Sequence, residues 1–94
     1  MEIETVSQEL KKIGNSFLTE NNNIECYIFG SALYKNCPND FDILIIYDNV
    51  EQLKLIKSKI KHIINLFPLH LNYFTFLEEK ELNFIKQQNA TRIF

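Results

Sequence analysis

Hydrophobic residues recur at intervals of three and four between residues 2 and 20, at Ile3, Val6, Leu10, Ile13 and Phe17. That spacing puts them on one face of an amphipathic helix. The polar run Asn21-Asn22-Asn23 ends the helix, and Ile24 to Phe29 is short, apolar and β-prone, which predicts a first strand. A short helix or turn is expected over Ser31 to Lys35, followed by a loop at Asn36-Cys37-Pro38-Asn39, where Pro38 forbids helix continuation. Asp40 to Tyr47 reads as a second strand, and its unbroken Ile43-Leu44-Ile45-Ile46 run predicts burial on both faces. Asp48 or Asn49 is placed to cap a second long helix, with Val50, Leu53, Ile56, Ile60, Ile63 and Phe67 along one face and Lys54, Lys57, Lys59, Lys61 and His62 opposite. Pro68 closes that helix and Leu69 to Phe74 forms a third strand. Thr75 followed by Glu78 matches a capping box for a last helix to about Gln88, with Leu77, Leu82 and Ile85 inward. The tail from Ala90 to Phe94 is apolar enough either to pack as a short strand or to await a partner.

Composition narrows the class. A length of 94 residues predicts one domain, 1–94, with a single modest core. With 46% hydrophobic and 13% aromatic residues it is expected to fold without disulfides or structural metal. A net charge of -2 argues against binding bulk nucleic acid through backbone electrostatics, so any such contact is expected to be local. The two cysteines, Cys26 and Cys37, have no metal-ligand spacing and predict a reduced cytosolic pair. No secretory-type leader and no apolar run of membrane-spanning length is visible, so the expected location is the cytoplasm, with no membrane partner.

The candidate chemistry lies between Cys26 and Tyr47. The first strand ends in Gly30-Ser31, eight residues follow, and Asp40-Phe41-Asp42 opens the second strand. Successive strand side chains alternate between faces, so Asp40 and Asp42 share one face while Phe41 and Ile43 take the other. Two converging carboxylates repel each other unless a cation joins them, and their hard oxygens suit Mg²⁺ or Mn²⁺. Gly30 has no Cβ to keep a phosphate from the main chain, and Ser31 adds a hydroxyl and an amide at an expected helix N-terminus. Together these halves describe a site for a metal-bound nucleoside triphosphate.

This arrangement of apolar strand, Gly30-Ser31, loop and Asp40-x-Asp42 resembles the nucleotidyltransferase superfamily that includes DNA polymerase β, and most closely its minimal bacterial branch. The flanking elements fall in the family's order, so the resemblance covers nearly the whole chain. It implies an α/β (α+β) nucleotidyltransferase fold: a small mixed sheet of three to four strands with helices packed on one face. It also implies Asp40 and Asp42 as metal ligands and catalytic residues, Gly30 and Ser31 as phosphate binders, ATP as substrate, and transfer of AMP to a hydroxyl with pyrophosphate leaving.

Two positions depart from the family's pattern. Active relatives carry a third carboxylate on the third strand, where this chain has His70 in Leu69-His70-Leu71-Asn72, and the strand contains no Asp or Glu. An imidazole can accept a proton or ligate a transition metal, but it brings no negative charge to Mg²⁺. His70 is therefore either a working base or ligand, or a filler of the place. After Gly-Ser, relatives often have Ala-Arg-Gly, whereas here Ala32-Leu33-Tyr34-Lys35 leaves Lys35 either as a flexible charge beside the triphosphate or as a solvated side chain.

Three functions follow. The first is an active enzyme, which in the minimal branch often serves as antitoxin to a HEPN-type RNase toxin, in some cases by attaching AMP to a toxin tyrosine. The second is a non-catalytic module of the same fold that neutralises or complements a partner by contact. The third is a detached catalytic lobe whose remaining parts lie on another chain. The expected partners are a nucleoside triphosphate and either a protein partner such as the toxin or a homo-oligomer.

Overall fold

The computed structural model describes residues 3–19, 23–30, 41–66 and 68–94. Ser31, Lys35, Cys37, Pro38, Asp40 and Phe67 lie outside the described residues, as do the side chains of Ile3 and His62. The elements run α1 (Ile3–Thr19), β1 (Glu25–Phe29), β2 (Phe41–Tyr47), α2 (Val50–Leu66), β3 (Leu69–Thr75), α3 (Phe76–Leu82), α4 (Phe84–Gln87) and β4 (Thr91–Arg92). The four strands form one mixed sheet in the order β3-β2-β1-β4. β1 is antiparallel to both β2 and β4, while β2 and β3 are parallel. Parallel neighbours need a long crossover, and α2 supplies it.

One sheet face carries Phe41, Ile43 and Ile45 of β2 beside Cys26 and Ile28 of β1, and it meets α1 and α2. From α1 come Val6, Leu10, Ile13 and Phe17, all buried; from α2 come Ile56, Ile60 and Ile63, fully buried. The two apolar stripes thus meet the sheet as their periodicity predicts. Ile43 to Ile46 are all buried, as expected of a strand covered on both sides.

The cover on the second face corrects the expectation of helices on one side only. Phe29, Leu44 and Ile46 form a second cluster there, packed by Tyr27 and Phe74 of the sheet, Phe76 of α3, and Phe84 and Ile85 of α4. The Phe84 ring stands edge-on to Phe29 at 4.9 Å and to Phe74 at 5.2 Å between centroids. The expected inward set of the last helix is corrected as well, because Leu77 and Leu82 are exposed while Ile85 packs. Thr75 and Glu78 do make the predicted capping box, but the helix stops at Asn83, whose φ of 53° is left-handed and whose N–H returns to the Glu79 carbonyl. That break resets the helical phase. The Glu79 carboxylate then accepts the Phe84 and Ile85 amides, which starts α4 in a new direction with its aromatic end inward.

Val50 is also exposed, contrary to its place in the predicted stripe. The cap of α2 explains it. Asn49 Oδ1 accepts the Gln52 amide at 2.9 Å, while Gln52 Oε1 accepts the Asp48 and Asn49 amides, so the side chain turned inward in the first turn is that of Gln52. The tail adopts the strand alternative: Thr91 and Arg92 pair with Ile28 and Tyr27, and Cys26 exchanges main-chain bonds with Ile93 and Phe94. Ile93 enters the main core, and the Phe94 ring lies so close to Gly14 that any Cβ there would collide with it.

Candidate functional site

Strand register brings the site together. Phe29 of β1, Asp42 of β2 and His70 of β3 lie in one cross-strand row, and their side chains share the face turned away from α1 and α2. His70 Nδ1 lies 3.1 Å from Asp42 Oδ1. An ionised carboxylate only accepts, so in this pair Nδ1 carries the proton and donates, which leaves Nε2 as the ring nitrogen available to a ligand. The His70 side chain is 71% exposed and that of Asp42 25%. The pair therefore stands at the surface with the carboxylate as its sheltered member.

Gly30 closes the other side of Asp42. It follows the last residue of β1 with φ of 77°, a conformation that L side chains rarely adopt, and a Cβ there would run into Asp42 Oδ2. The glycine thus serves two needs at once, the left-handed turn out of β1 and the close approach of a carboxylate to the main chain. Asp42 is held with one oxygen toward His70 and the other against Gly30.

Of the residues expected at the site, Gly30, Asp42 and His70 come together, while Ser31, Lys35 and Asp40 lie outside the described residues. Among the described residues no group of three or more His, Cys, Asp or Glu is placed to hold a metal ion. With Nδ1 bonded to Asp42, the free Nε2 is turned away from the carboxylate, so of this pair only Asp42 offers an oxygen donor to a cation beside Gly30, and a hard cation such as Mg²⁺ or Mn²⁺ would need Asp40 as well. Asn72 was not singled out by its sequence context. It lies two residues beyond His70 on the same face, beside Leu44, and its Nδ2 reaches the Ile43 carbonyl at 3.4 Å. Its spacing from His70 was the available signal.

Away from the pair, burial sets the ionisation of two neighbours on β1. The buried Cys26 thiol is pushed well up and stays protonated. Tyr27 is pushed up to about 12, first by burial and then by the bond from its hydroxyl to Glu25 and the charge of that carboxylate. Neither residue faces Asp42 in the register. No helix among the described residues is long and apolar enough to cross a membrane. Compared with family models, with curated proteins and with solved structures, the chain matched none.

Proposed function

We infer that this domain is a metal-dependent nucleotidyltransferase of the minimal type, moving AMP from ATP to a hydroxyl on a partner protein. The observation that carries the reading is the fixed position of Asp42, with its carboxylate lodged between a left-handed glycine and an imidazole at one end of a sheet face. In the nucleotidyltransferase fold that the sequence resembles, a Gly-Ser strand end and an Asp-x-Asp strand start meet in this way. Gly30 leaves the main chain open to phosphate oxygens and Ser31 adds its hydroxyl. Asp40 and Asp42 would hold Mg²⁺ or Mn²⁺, which when bound neutralises triphosphate charge and polarises the reacting oxygens. His70, oriented through Nδ1 by Asp42, presents Nε2 to take the proton of the attacking hydroxyl. The partner the resemblance implies is a HEPN-type toxin.

A second reading has an observation of its own. The His70 bond occupies Asp42 Oδ1, an oxygen that a catalytic cation would share, and an imidazole stands in the place of the third carboxylate. This favours a non-catalytic module of the same fold that binds a partner and retains nucleotide affinity. One comparison separates the two: label transfer from ATP to a candidate partner by wild type, His70→Ala and His70→Asp, each with Mg²⁺ and with Mn²⁺. The enzyme reading expects His70→Ala to lose about 10²-fold or more relative to wild type. Wild type and His70→Ala both at background, with His70→Asp active, would establish the binding module. Under either reading Mg²⁺ or Mn²⁺ with nucleotide raises the melting temperature, and Asp40→Asn with Asp42→Asn removes the rise.

A further inference from the structure

The geometry points to the free edge of β3 as the place where an extended acidic segment of a partner protein binds as an added strand, with its carboxylates on the lysines of α2. The inference does not depend on the transferase reading. It starts from which main-chain groups of β3 are already used. The Phe41 amide donates to the Pro68 carbonyl at 2.9 Å, which fixes the phase of the parallel β2–β3 ladder. Alternate residues of a strand turn their N–H and C=O to opposite sides, so His70, Asn72 and Phe74 bond toward β2. Leu69, Leu71 and Tyr73 then turn theirs to the free edge of the sheet, and among the described residues nothing meets those groups. β3 is seven residues long and contains no Asp, Glu, Lys, Arg or Pro, so the strand itself has none of the devices that usually blunt an edge. The other edge, β4, is two residues long and carries Arg92, which reaches Glu25 at 3.6 Å.

A free edge alone accepts any strand, and the charge beside it selects the occupant. Lys54, Lys57 and Lys61 are three and four residues apart, so they share one side of α2. Lys57 marks it as the side over β3, since its Nζ lies 5.2 Å above the Tyr73 ring. Lys59 belongs to the other side, where it donates to Ser16 of α1 at 2.8 Å. The three flank lysines are exposed, and among the described residues no carboxylate lies within ion-pairing distance of them. On α1, by contrast, Lys12 meets Glu9 at 3.1 Å. The acids of α3 follow β3 but lie with that helix on the opposite face of the sheet, where Glu78 is engaged in the capping box and Glu79 on the Phe84 and Ile85 amides. The flank of the free edge is thus of one sign.

The spacing suits a strand. α2 runs back along the sheet as the crossover from β2 to β3, and Lys57 and Lys61 are about 6 Å apart along it. Side chains on one face of a strand repeat every 6.5–7 Å or so, about the same interval. A segment bonded to Leu69, Leu71 and Tyr73 turns every second side chain toward α2, so acids at alternate positions come level with successive lysines. The contact with Tyr73 already holds the Lys57 ammonium over the strand, which lowers the ordering cost of binding. A second copy is disfavoured by the same charges, because its own α2 would bring three more lysines to the seam. Main-chain bonds supply the affinity of an added strand, and the alternate side chains supply its selectivity.

Fluorescence anisotropy of a labelled peptide of about nine residues, with Glu at every second position and Val or Thr between, tests this, together with amide exchange read by NMR on the free and bound protein. The expected result is saturable binding with Kd on the order of 100 µM, weakened by salt, in which the Leu71 and Tyr73 amides exchange more slowly than in the free protein. A peptide of the same composition with its glutamates in one block is expected to bind at least about fivefold more weakly. Lys57→Gln with Lys61→Gln is expected to weaken binding about threefold to tenfold and to flatten its salt dependence, while Lys11→Gln with Lys12→Gln on α1 leaves both unchanged. No binding at about 1 mM peptide overturns the proposal, as does equal binding of the block peptide or of the Lys57 and Lys61 variant. A complex in which the Leu71 and Tyr73 amides stay unprotected also overturns it, since the lysines would then hold a flexible polyanion, single-stranded nucleic acid included, by charge alone. Protection of the same amides that grows with protein concentration in the absence of peptide would make a second copy the occupant and overturn it likewise.

Discussion

On the face that meets α1 and α2, Phe41, Ile43 and Ile45 are fully buried from one end of β2 to the other. On the opposite face the β2 row changes along its length: Leu44 and Ile46 lie under Phe84 and Ile85, but Asp42 at the start of the strand is open beside His70. One long helical layer can cover a whole face. The two short helices α3 and α4, eleven residues between them, cover only the far part of the other. The first face stores the cohesion of the domain, and the second leaves one end of the sheet uncovered. Substitutions on the two faces should therefore fail in different ways.

The largest effect is expected on the helical side. Phe17 is 1% exposed, its ring is 6.1 Å from that of Phe94, and Lys59 Nζ stands 5.1 Å over it. Phe17→Ala should cost about 3–5 kcal/mol in urea unfolding. Asp42→Asn on the other face should cost no more than about 1 kcal/mol while removing the metal and nucleotide response. Comparable losses of stability from both would break the distinction.

Gly30→Ala should fall next, at about 1–3 kcal/mol, because the left-handed φ and the collision with Asp42 Oδ2 act together. The same substitution should move the His70 imidazole resonances, since Asp42 cannot keep its place. A loss below about 0.5 kcal/mol with unchanged resonances would mean that Asp42 is not held by the turn.

Thr75→Ala removes half of the capping box at the point where the chain crosses from β3 to the second face, at a cost of about 1 kcal/mol. Glu78→Ala acts on the same box, so the double variant should lose less than the sum of the two. Strict additivity in chemical denaturation would show that the two bonds act separately.

A further effect is expected in alkali and is absent at neutral pH. The folded state holds the protons of Cys26 and Tyr27 more tightly than the unfolded chain does, so their contribution is complete below about pH 9 and declines above it. For Tyr27 the loss runs from about pH 10 to about pH 12. Tyr27→Phe should flatten the stability profile in that window and Cys26→Ala should flatten its onset near pH 9, both measured by urea melts across pH. Profiles that keep their slope in both variants would assign the loss to other groups.

Much of this division is visible in the order of residues. The α1 stripe and the Ile43–Ile46 run announce the buried layer because their periods, 3.6 and an unbroken apolar strand, have no other use for so many large side chains. The meeting of Gly30, Asp42 and His70 is also legible, since strand ends and alternation fix which side chains can share a face. The second face is not. Asn is the residue that after glycine goes left-handed most readily, but Leu82-Asn83-Phe84 does not by itself say that the backbone does so at 83 and ends the helix there. Leu77 and Leu82 fall inward only on a helix that runs on to about Gln88, and α3 ends at Leu82. Gln52 escaped notice for a related reason: a glutamine in a first turn reads as solvated until its carbonyl is needed by two amides.

The bonds between Cys26 and residues 93 and 94 also bear on how the domain comes into being. A ribosome releases β1 early, yet the strand that covers its outer edge is made only after every other element of the sheet. Until then a nascent chain shows bare main chain along β1 and an empty groove over Gly14. The contact that completes the sheet spans most of the chain and carries a large loop-closure cost, so it is expected to form late, after β1, β2 and β3 have found one another. During that interval β1 is the segment most open to chaperone binding or to pairing with another nascent chain.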